Sequence, residues 1–371
     1  MDLIRGVNLG NWLVLEKWMS PSMFANTDCE DETWLCRTLD EAIKRERYLQ
    51  HRSTYITERD FAYIAGAGLN AVRIPVPYFI FDDVEPFVGC IEYLDKAFDW
   101  AEAFDIKILI DLHTAPGSQN GFDNGGICGV CKWAQSPKDV EFVLTVLERL
   151  SARYANRSGL YGVQVLNEPI SEGVWVGADI PSRYPARDKA EALGSGPIDT
   201  QFLKTFYRHA YSRIRAHLPV DKVVAFHDGF RLTEWDGYFN DGTFENVVLD
   251  THPYLMTADG MGIEPTLESY TAYVQRDWVP PVQKMQGQVP LIVGEWCVSN
   301  KGASQMSDKC ERRSMYRALY KLQADLFEQG AGWFYWSYKL LVDATHNESQ
   351  VGTASWDYAR CVSEGWVERL K

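Results

Sequence analysis

The chain has no run of 18 or more apolar residues and no excess of positive charge. The first absence argues against a membrane-spanning helix. The second argues against nucleic acid as a partner: 51 Asp and Glu against 37 Lys and Arg leave a net charge of −14, whereas phosphate binding needs a basic face. No leader precedes the first strand-like run, since Met1-Asp2-Leu3 passes straight into Ile4-Arg5-Gly6-Val7-Asn8. That predicts a cytoplasmic protein, or a secreted one whose leader has been removed. There is no repeat at a solenoid period and no compositional break that would mark a linker, so residues 1–371 are expected to form a single domain. A dinucleotide fingerprint in its working context is missing too. Gly66-Ala67-Gly68-Leu69-Asn70-Ala71 fits G-x-G-x-x-A, but a helix over 57–65 precedes it and a strand follows, the reverse of the order that cofactor binding requires. Those glycines are expected to form a helix C-cap and turn, and Lys44-Arg45-Glu46-Arg47 a solvated helix face.

The eight cysteines lack a metal or redox pattern. Cys128-Gly129-Val130-Cys131 is a lone C-x-x-C with no second half, so a structural role outweighs zinc or thiol chemistry. Cys29 and Cys36 are also close in sequence, but eight cysteines allow 105 connectivities, and the pairing stays open. Two N-x-S triplets, at Asn156 and Asn347, permit glycosylation without requiring it.

What is present is an alternation. Apolar runs rich in β-branched residues recur at Ile4–Asn8, Ala71–Val76, Ile106–His113, Gly162–Pro169, Val223–Gly229, Val247–Tyr254, Leu291–Trp296 and Gly332–Tyr338. Helical spacing fills most of the intervals, as in Val140, Val143, Leu144 and Leu147, or Met315, Leu319, Leu322 and Leu326. Eight strand-helix repeats in 371 residues predict a (β/α)₈ TIM barrel; a doubly wound sheet would want fewer strands and a phosphate loop. Two strand-to-helix connections, 10–40 and 171–197, are unusually long, and the second reads as loop. Loops after barrel strands decorate the C-terminal face, where active sites sit. Aromatic residues make up 13% of the chain, with 13 Trp and 19 Tyr, a supply of flat faces that sugar-binding clefts use.

The strand ends carry polar and ionisable side chains. Val163-Gln164-Val165-Leu166-Asn167-Glu168-Pro169 and Leu291-Ile292-Val293-Gly294-Glu295-Trp296 are apolar runs ending in a glutamate. Two carboxylates presented at neighbouring strand ends suffice to break a glycosidic bond. Arg73 interrupts an apolar strand, Asp111 and His113 close the third, His227 and Asp228 the fifth, His252 and Tyr254 the sixth, and Trp336 lies in the eighth. A buried charge is costly unless paired. One such residue reads as a satisfied structural group, but their convergence on one barrel mouth does not.

Asn167-Glu168-Pro169 on the fourth strand and Glu295 on the seventh resemble the paired signature of glycoside hydrolase family 5, with Arg73, His113, His252, Tyr254 and Trp336 in the family's supporting positions. Val14-Leu15-Glu16 and the stretch Ala115–Asn124 narrow the resemblance to that family's fungal exo-β-1,3-glucanases. The resemblance implies a retaining hydrolase in which Glu295 is nucleophile and Glu168 acid/base. It further implies that Glu16 and Asp123 bind the terminal glucose, that Phe122 is half of an aromatic clamp, that Asn167 binds the sugar 2-OH, and that Trp336 is a platform. The chain departs from the pattern at Thr257, where the other clamp aromatic is expected. Repulsion between the two glutamates is expected to raise the Glu168 pKa. The implied substrate is a β-glucan oligosaccharide or β-glucoside, with no cofactor and no metal. A diglycosidase or endo-β-glycanase is the alternative; a non-catalytic carbohydrate-binding barrel would be expected to lose Glu168 or Glu295.

Overall fold

A computed structural model describes residues 3–342 and 351–370. Eight parallel strands close into a barrel in sequence order: β1 Ile4–Asn8, β2 Ala71–Val76, β3 Lys107–Leu112, β4 Leu160–Gln164, β5 Val223–His227, β6 Val247–Thr251, β7 Leu291–Trp296 and β8 Gly332–Tyr335. β1 pairs with both β2 and β8, which seals the sheet. This is the predicted (β/α)₈ barrel.

The barrel interior follows from the two-residue side-chain period of a strand. Ile4, Ala71, Leu109, Val223, Ala225, Val248, Ile292 and Phe334 form one apolar cluster that fills the lower barrel. Two residues further along several strands stand the polar members of the same inward file, such as Arg73 after Ala71, Asp111 after Leu109, His227 after Ala225 and Asp250 after Val248. A larger apolar cluster joins the outward faces of the strands to the helices. It takes in Val143, Leu144 and Leu147 from the helix Pro137–Tyr154 and Met315, Leu319 and Leu326 from Lys309–Phe327. Among the described residues, no helix is long and apolar enough to cross a membrane.

Helix ends match their local chemistry. Thr57 and Asp60 form a capping box for Glu58–Gly66, which is followed by Gly68 at φ +83 and then β2. The G-x-G-x-x-A stretch is thus the expected cap and turn.

Three expectations need correction. The strand ladders of β3, β4, β5, β6 and β8 stop short of the predicted ends, so His113, Asn167, Glu168, His252, Tyr254 and Trp336 lie just past their strands. The β4 chain keeps isolated contacts to its neighbours (Val165 N to Ala225 O, 3.0 Å; Asn167 N to Leu112 O, 2.9 Å) before Glu168 turns away. The 171–197 segment is not loop throughout: it contains helices Glu172–Gly177, Ile180–Arg183 and Lys189–Ala192, two of them capped by Ser171 and Asp188. The 10–40 connection holds a 3₁₀ turn at Pro21–Phe24 and a helix at Glu32–Thr38. Lys44 is buried instead of solvated, its Nζ donating to Pro86 O at 2.6 Å. Asn156 is exposed, and Asn347 lies outside the described residues. All eight cysteines are free thiols, and seven are buried.

Candidate active site

At the C-terminal mouth Arg73 is the hub. Its guanidinium is fully buried and donates Nε to Gln164 Oε1 (2.8 Å), Nη1 to Asn8 Oδ1 (2.9 Å) and Glu295 Oε1 (2.8 Å), and Nη2 to Asn167 Oδ1 (2.8 Å). Nη2 also meets Asp111 Oδ2 at 3.0 Å. A planar fork with five N–H groups serves neighbours from four other strands at once, which an ammonium could not do.

Glu295 sits where the pairing of β7 with β8 slips, between Val293 and Trp296. Its second oxygen accepts from Tyr254 OH at 2.8 Å. Both oxygens therefore face donors, the arrangement suited to a carboxylate. Tyr254 is kept a protonated donor because burial and the Glu295 charge push its pKa well up.

Glu168 adopts φ 46, a left-handed conformation that costs a non-glycine residue of order 1–3 kcal/mol and clusters at functional sites. Its Oε2 accepts from Asn124 Nδ2 (2.9 Å) and its Oε1 meets His252 Nδ1 (2.8 Å). The expectation that repulsion raises Glu168 is overturned. Burial does push it up, but the hydrogen bond and positive charge of His252 and the Asn124 contact outweigh this, and the net direction is down. Glu295 moves up instead: burial and the Glu168 charge exceed the pull of His252 and Arg73. The imidazole between the two glutamates, invisible as a contact in the sequence, reverses the order.

His252 Nδ1 is also 3.6 Å from Glu295 Oε2. Laid end to end, the 2.8 and 3.6 Å contacts allow those two oxygens no more than about 6.4 Å. This is short of the ~6.5–9.5 Å typical of inverting glycosidases.

The other predicted residues assemble around this pair. His113 does not touch either glutamate; its Nδ1 bonds Asp111 Oδ2 at 2.5 Å, its Nε2 lies 3.4 Å from Asn167 Nδ2, and its ring stacks on Trp336 at 5.7 Å. Trp336 packs so close to Gly10 that a Cβ there would meet its ring at 2.9 Å. Glu16 is buried, and Trp18 Nε1 donates to its Oε2 at 2.7 Å. Burial and the charge of Asp123 drive Glu16 well up, and burial raises Asp123 as well. Thr257 is exposed and turned back onto Tyr254 O at 2.7 Å. The ring that meets Phe122 is Tyr184, at 5.3 Å, from the segment predicted to be loop.

Sequence reasoning missed several participants. Asn124, Gln164, Asp250, Trp18 and Trp356 were not singled out. Trp356 lies against both Trp18 (5.5 Å) and Tyr254 (5.2 Å), linking the C-terminal segment to the site. Gln164 and Asp250 had a usable signal, since both are polar residues on the inward register; Trp356 had none. Glu168, His227 and His252 bring ligand atoms within 4.8 Å of one another. However, both His252 nitrogens already face carboxylates, and His227 Nδ1 accepts from Gly229 N. A separate cavity of about 630 Å³ lies behind the 115–125 loop, lined by Tyr78, Phe87 and Phe142 among others, and neither Glu168 nor Glu295 borders it.

The sequence model of the cellulase family, glycosyl hydrolase family 5, matches residues 46–340. A probable glucan 1,3-β-glucosidase A of Emericella nidulans is 34% identical, over 91% of this chain and 85% of its own length. The glucan 1,3-β-glucosidase of Kluyveromyces lactis is 31% identical, over 98% and 87%. Among solved structures, rutinosidase from Aspergillus niger shares the fold with a TM-score of 0.75 at 20% identity, covering 98% of this chain and 97% of that one.

Proposed function

Because the chain belongs to glycosyl hydrolase family 5, we propose that it is a retaining, exo-acting β-glucosidase whose substrates are β-1,3-linked glucan oligosaccharides or related β-glucosides. The observation that supports the retaining chemistry is the close approach of Glu168 and Glu295 across His252, whose 2.8 and 3.6 Å contacts bound the two facing oxygens at about 6.4 Å, below the ~6.5–9.5 Å separation of inverting enzymes. Glu295 attacks the anomeric carbon while Glu168 protonates the leaving oxygen; water then resolves the glycosyl ester with Glu168 as base. Arg73 and Tyr254 hold the nucleophile, and Asn167, whose Nδ2 faces His113, lies beside the acid where the 2-OH of the sugar would sit.

Exo action is supported by the buried Glu16 and the half-buried Trp18 and Asp123 on the loops after β1 and β3, which supply polar groups for the hydroxyls of a chain end. The curated relatives named for glucan 1,3-β-glucosidase activity favour that linkage. The test is product analysis on laminari-oligosaccharides together with mass spectrometry after a 2-fluoro glucoside bearing a good leaving group. Glucose alone should appear first, and Glu295 should gain one sugar mass. A ladder of oligosaccharides would establish the endo alternative, and an enzyme that turns over substrate without labelling would refute the covalent mechanism.

A further inference from the structure

Asp250 is fully buried on β6 and accepts from three donors: Gly294 N to Oδ1 at 2.5 Å, Gln164 Nε2 to Oδ2 at 2.7 Å, and His252 Nε2 to Oδ2 at 3.1 Å. The orientation of Gln164 is fixed because its Oε1 takes the Arg73 Nε–H, so its amide nitrogen must face Asp250. The Gly294 contact exists because residue 294 has no Cβ; one there would lie 2.3 Å from Asp250 Oδ2. With only N–H groups around it, Asp250 is an acceptor, and the Nε2 atom of His252 must carry a hydrogen.

That constraint propagates. His252 Nδ1 and Glu168 Oε1 are 2.8 Å apart and need one proton between them, since two lone pairs would otherwise face each other. The other Glu168 oxygen is already occupied: Phe122 N fixes the orientation of Asn120, Asn120 Nδ2 fixes that of Asn124, and Asn124 Nδ2 donates to Oε2. We propose that Asp250 is a positioning residue that fixes the tautomer of His252, so that the Glu168–His252 pair jointly holds the single proton delivered to the leaving oxygen. This rests on Glu168 being the acid/base.

The proton balance closes over the cycle. In the first half-reaction the pair's proton goes to the glycosidic oxygen, which keeps the electron pair of the breaking C–O bond, while Glu295 forms the new bond to carbon. In the second, water attacks that carbon, Glu295 leaves as carboxylate, and the water proton returns to the pair. The charged and titratable groups around His252 are Asp250 on its own strand, Glu168 after β4, Glu295 of β7, and His227 and Asp228 at the end of β5. His227 does not compete for the proton. Its Nδ1 accepts from Gly229 N at 2.8 Å, and burial beside His252 keeps the ring neutral. Arg73 acts on the other side, through Glu295.

Asp250→Asn tests the assignment. The flipped asparagine would set its amide against Gly294 N, which lies 2.5 Å from that position, so the oxygen keeps the Gly294 contact. The amide then costs Gln164 Nε2 its acceptor, donates to His252 Nε2 and moves the imidazole hydrogen to Nδ1. Glu168 could then lose its proton without a lone-pair clash. The basic limb of kcat/KM on laminaribiose should shift down by about one pH unit or more, while dinitrophenyl glucoside, which needs no acid, should be slowed by less than about threefold. Equal loss on both substrates with the limb unmoved would overturn the proposal. Should the variant fail to fold, side-chain ¹⁵N NMR of the wild-type enzyme decides: His252 Nε2 should stay protonated throughout the active pH range, and an unprotonated Nε2 would overturn it. Glu168→Ala is the control for the underlying reading. If that variant does not favour dinitrophenyl glucoside over laminaribiose, the acid/base assignment itself fails; if it does and Asp250→Asn leaves the limb in place, only the role of Asp250 fails.

Discussion

Replacing Arg73 with Met removes a cation and every polar contact it makes at the centre of the mouth. The lost partners are two carboxylates, Glu295 and Asp111, and three neutral oxygens, on Asn8, Gln164 and Asn167. The donor is ionised in all five contacts, so at about 1.5–3 kcal/mol each the gross loss is about 8–15 kcal/mol. Part of that is returned because the desolvation of the guanidinium disappears, and breaking a buried pair costs about 3–5 kcal/mol net. For 371 residues, an unfolding entropy of about 2.1 cal/mol/K per residue converts this to a Tm lower by about 4–6 °C, so the variant should remain folded at room temperature. Catalysis should suffer more than stability. Arg73 lowers the Glu295 pKa, so its removal must raise it, and loss of an adjacent arginine is worth about 1–3 units. With Glu295 as the proposed nucleophile, activity requires it ionised, so the acidic limb of kcat/KM should move to higher pH by that amount. Thermal melts and a pH profile on dinitrophenyl glucoside, which isolates the nucleophile, measure both effects. An acidic limb within about 0.3 unit of wild type in a correctly folded variant would refute the idea that Arg73 holds the nucleophile ionised.

Tyr184→Ala removes the ring that meets Phe122 at 5.3 Å; if this pair grips the second sugar, KM for laminaribiose should rise about twofold to tenfold, in line with about 0.5–1.5 kcal/mol for an aromatic contact, while aryl glucosides change little. Trp18→Phe keeps the ring against Trp356 but removes the indole N–H that donates to Glu16. It should raise KM for all glucosides by a few-fold up to tenfold with kcat nearly constant, as about 1 kcal/mol of lost hydrogen bonding implies; a fall in kcat alone would contradict a binding role.

The barrel was legible because its signals are local: eight apolar runs and helical spacing between them. The strand ends were not, because Val165 and Leu166 go on packing in the core after the ladder stops. The extended course is broken only by the backbone turn at Glu168, and the apolar pattern does not mark where the ladder stops at Gln164. The two glutamates and Arg73 stand out in sequence as charges in apolar surroundings. Asp250 is equally anomalous, between Leu249 and Thr251, yet its meaning depends on His252 two residues later and Gln164 eighty-six residues earlier. The pKa order failed for the same reason: a charge-repulsion argument between two carboxylates is right only when nothing lies between them. Tyr184 and Trp356 reach the site from segments whose composition says nothing about where they fold back.

The electrostatics of the mouth have a direction. Glu16, Asp123, Glu168 and Glu295 act on one another with like charge, and the positive groups at the centre, Arg73 and His252, are spent on Glu295, Asp111, Asp250 and Glu168. Burial and mutual repulsion raise Glu16, Asp123 and Glu295 together, so negative charge at the mouth is held at a cost. That cost is relieved by positive charge developing where the sugar ring lies, and an oxocarbenium-like transition state develops it there. A neutral glucoside gains little from the same field. On the proposed reading, Glu16 and Asp123 therefore belong to the catalytic electrostatics as well as to recognition, because a preorganised field that favours the transition state over the ground state raises kcat.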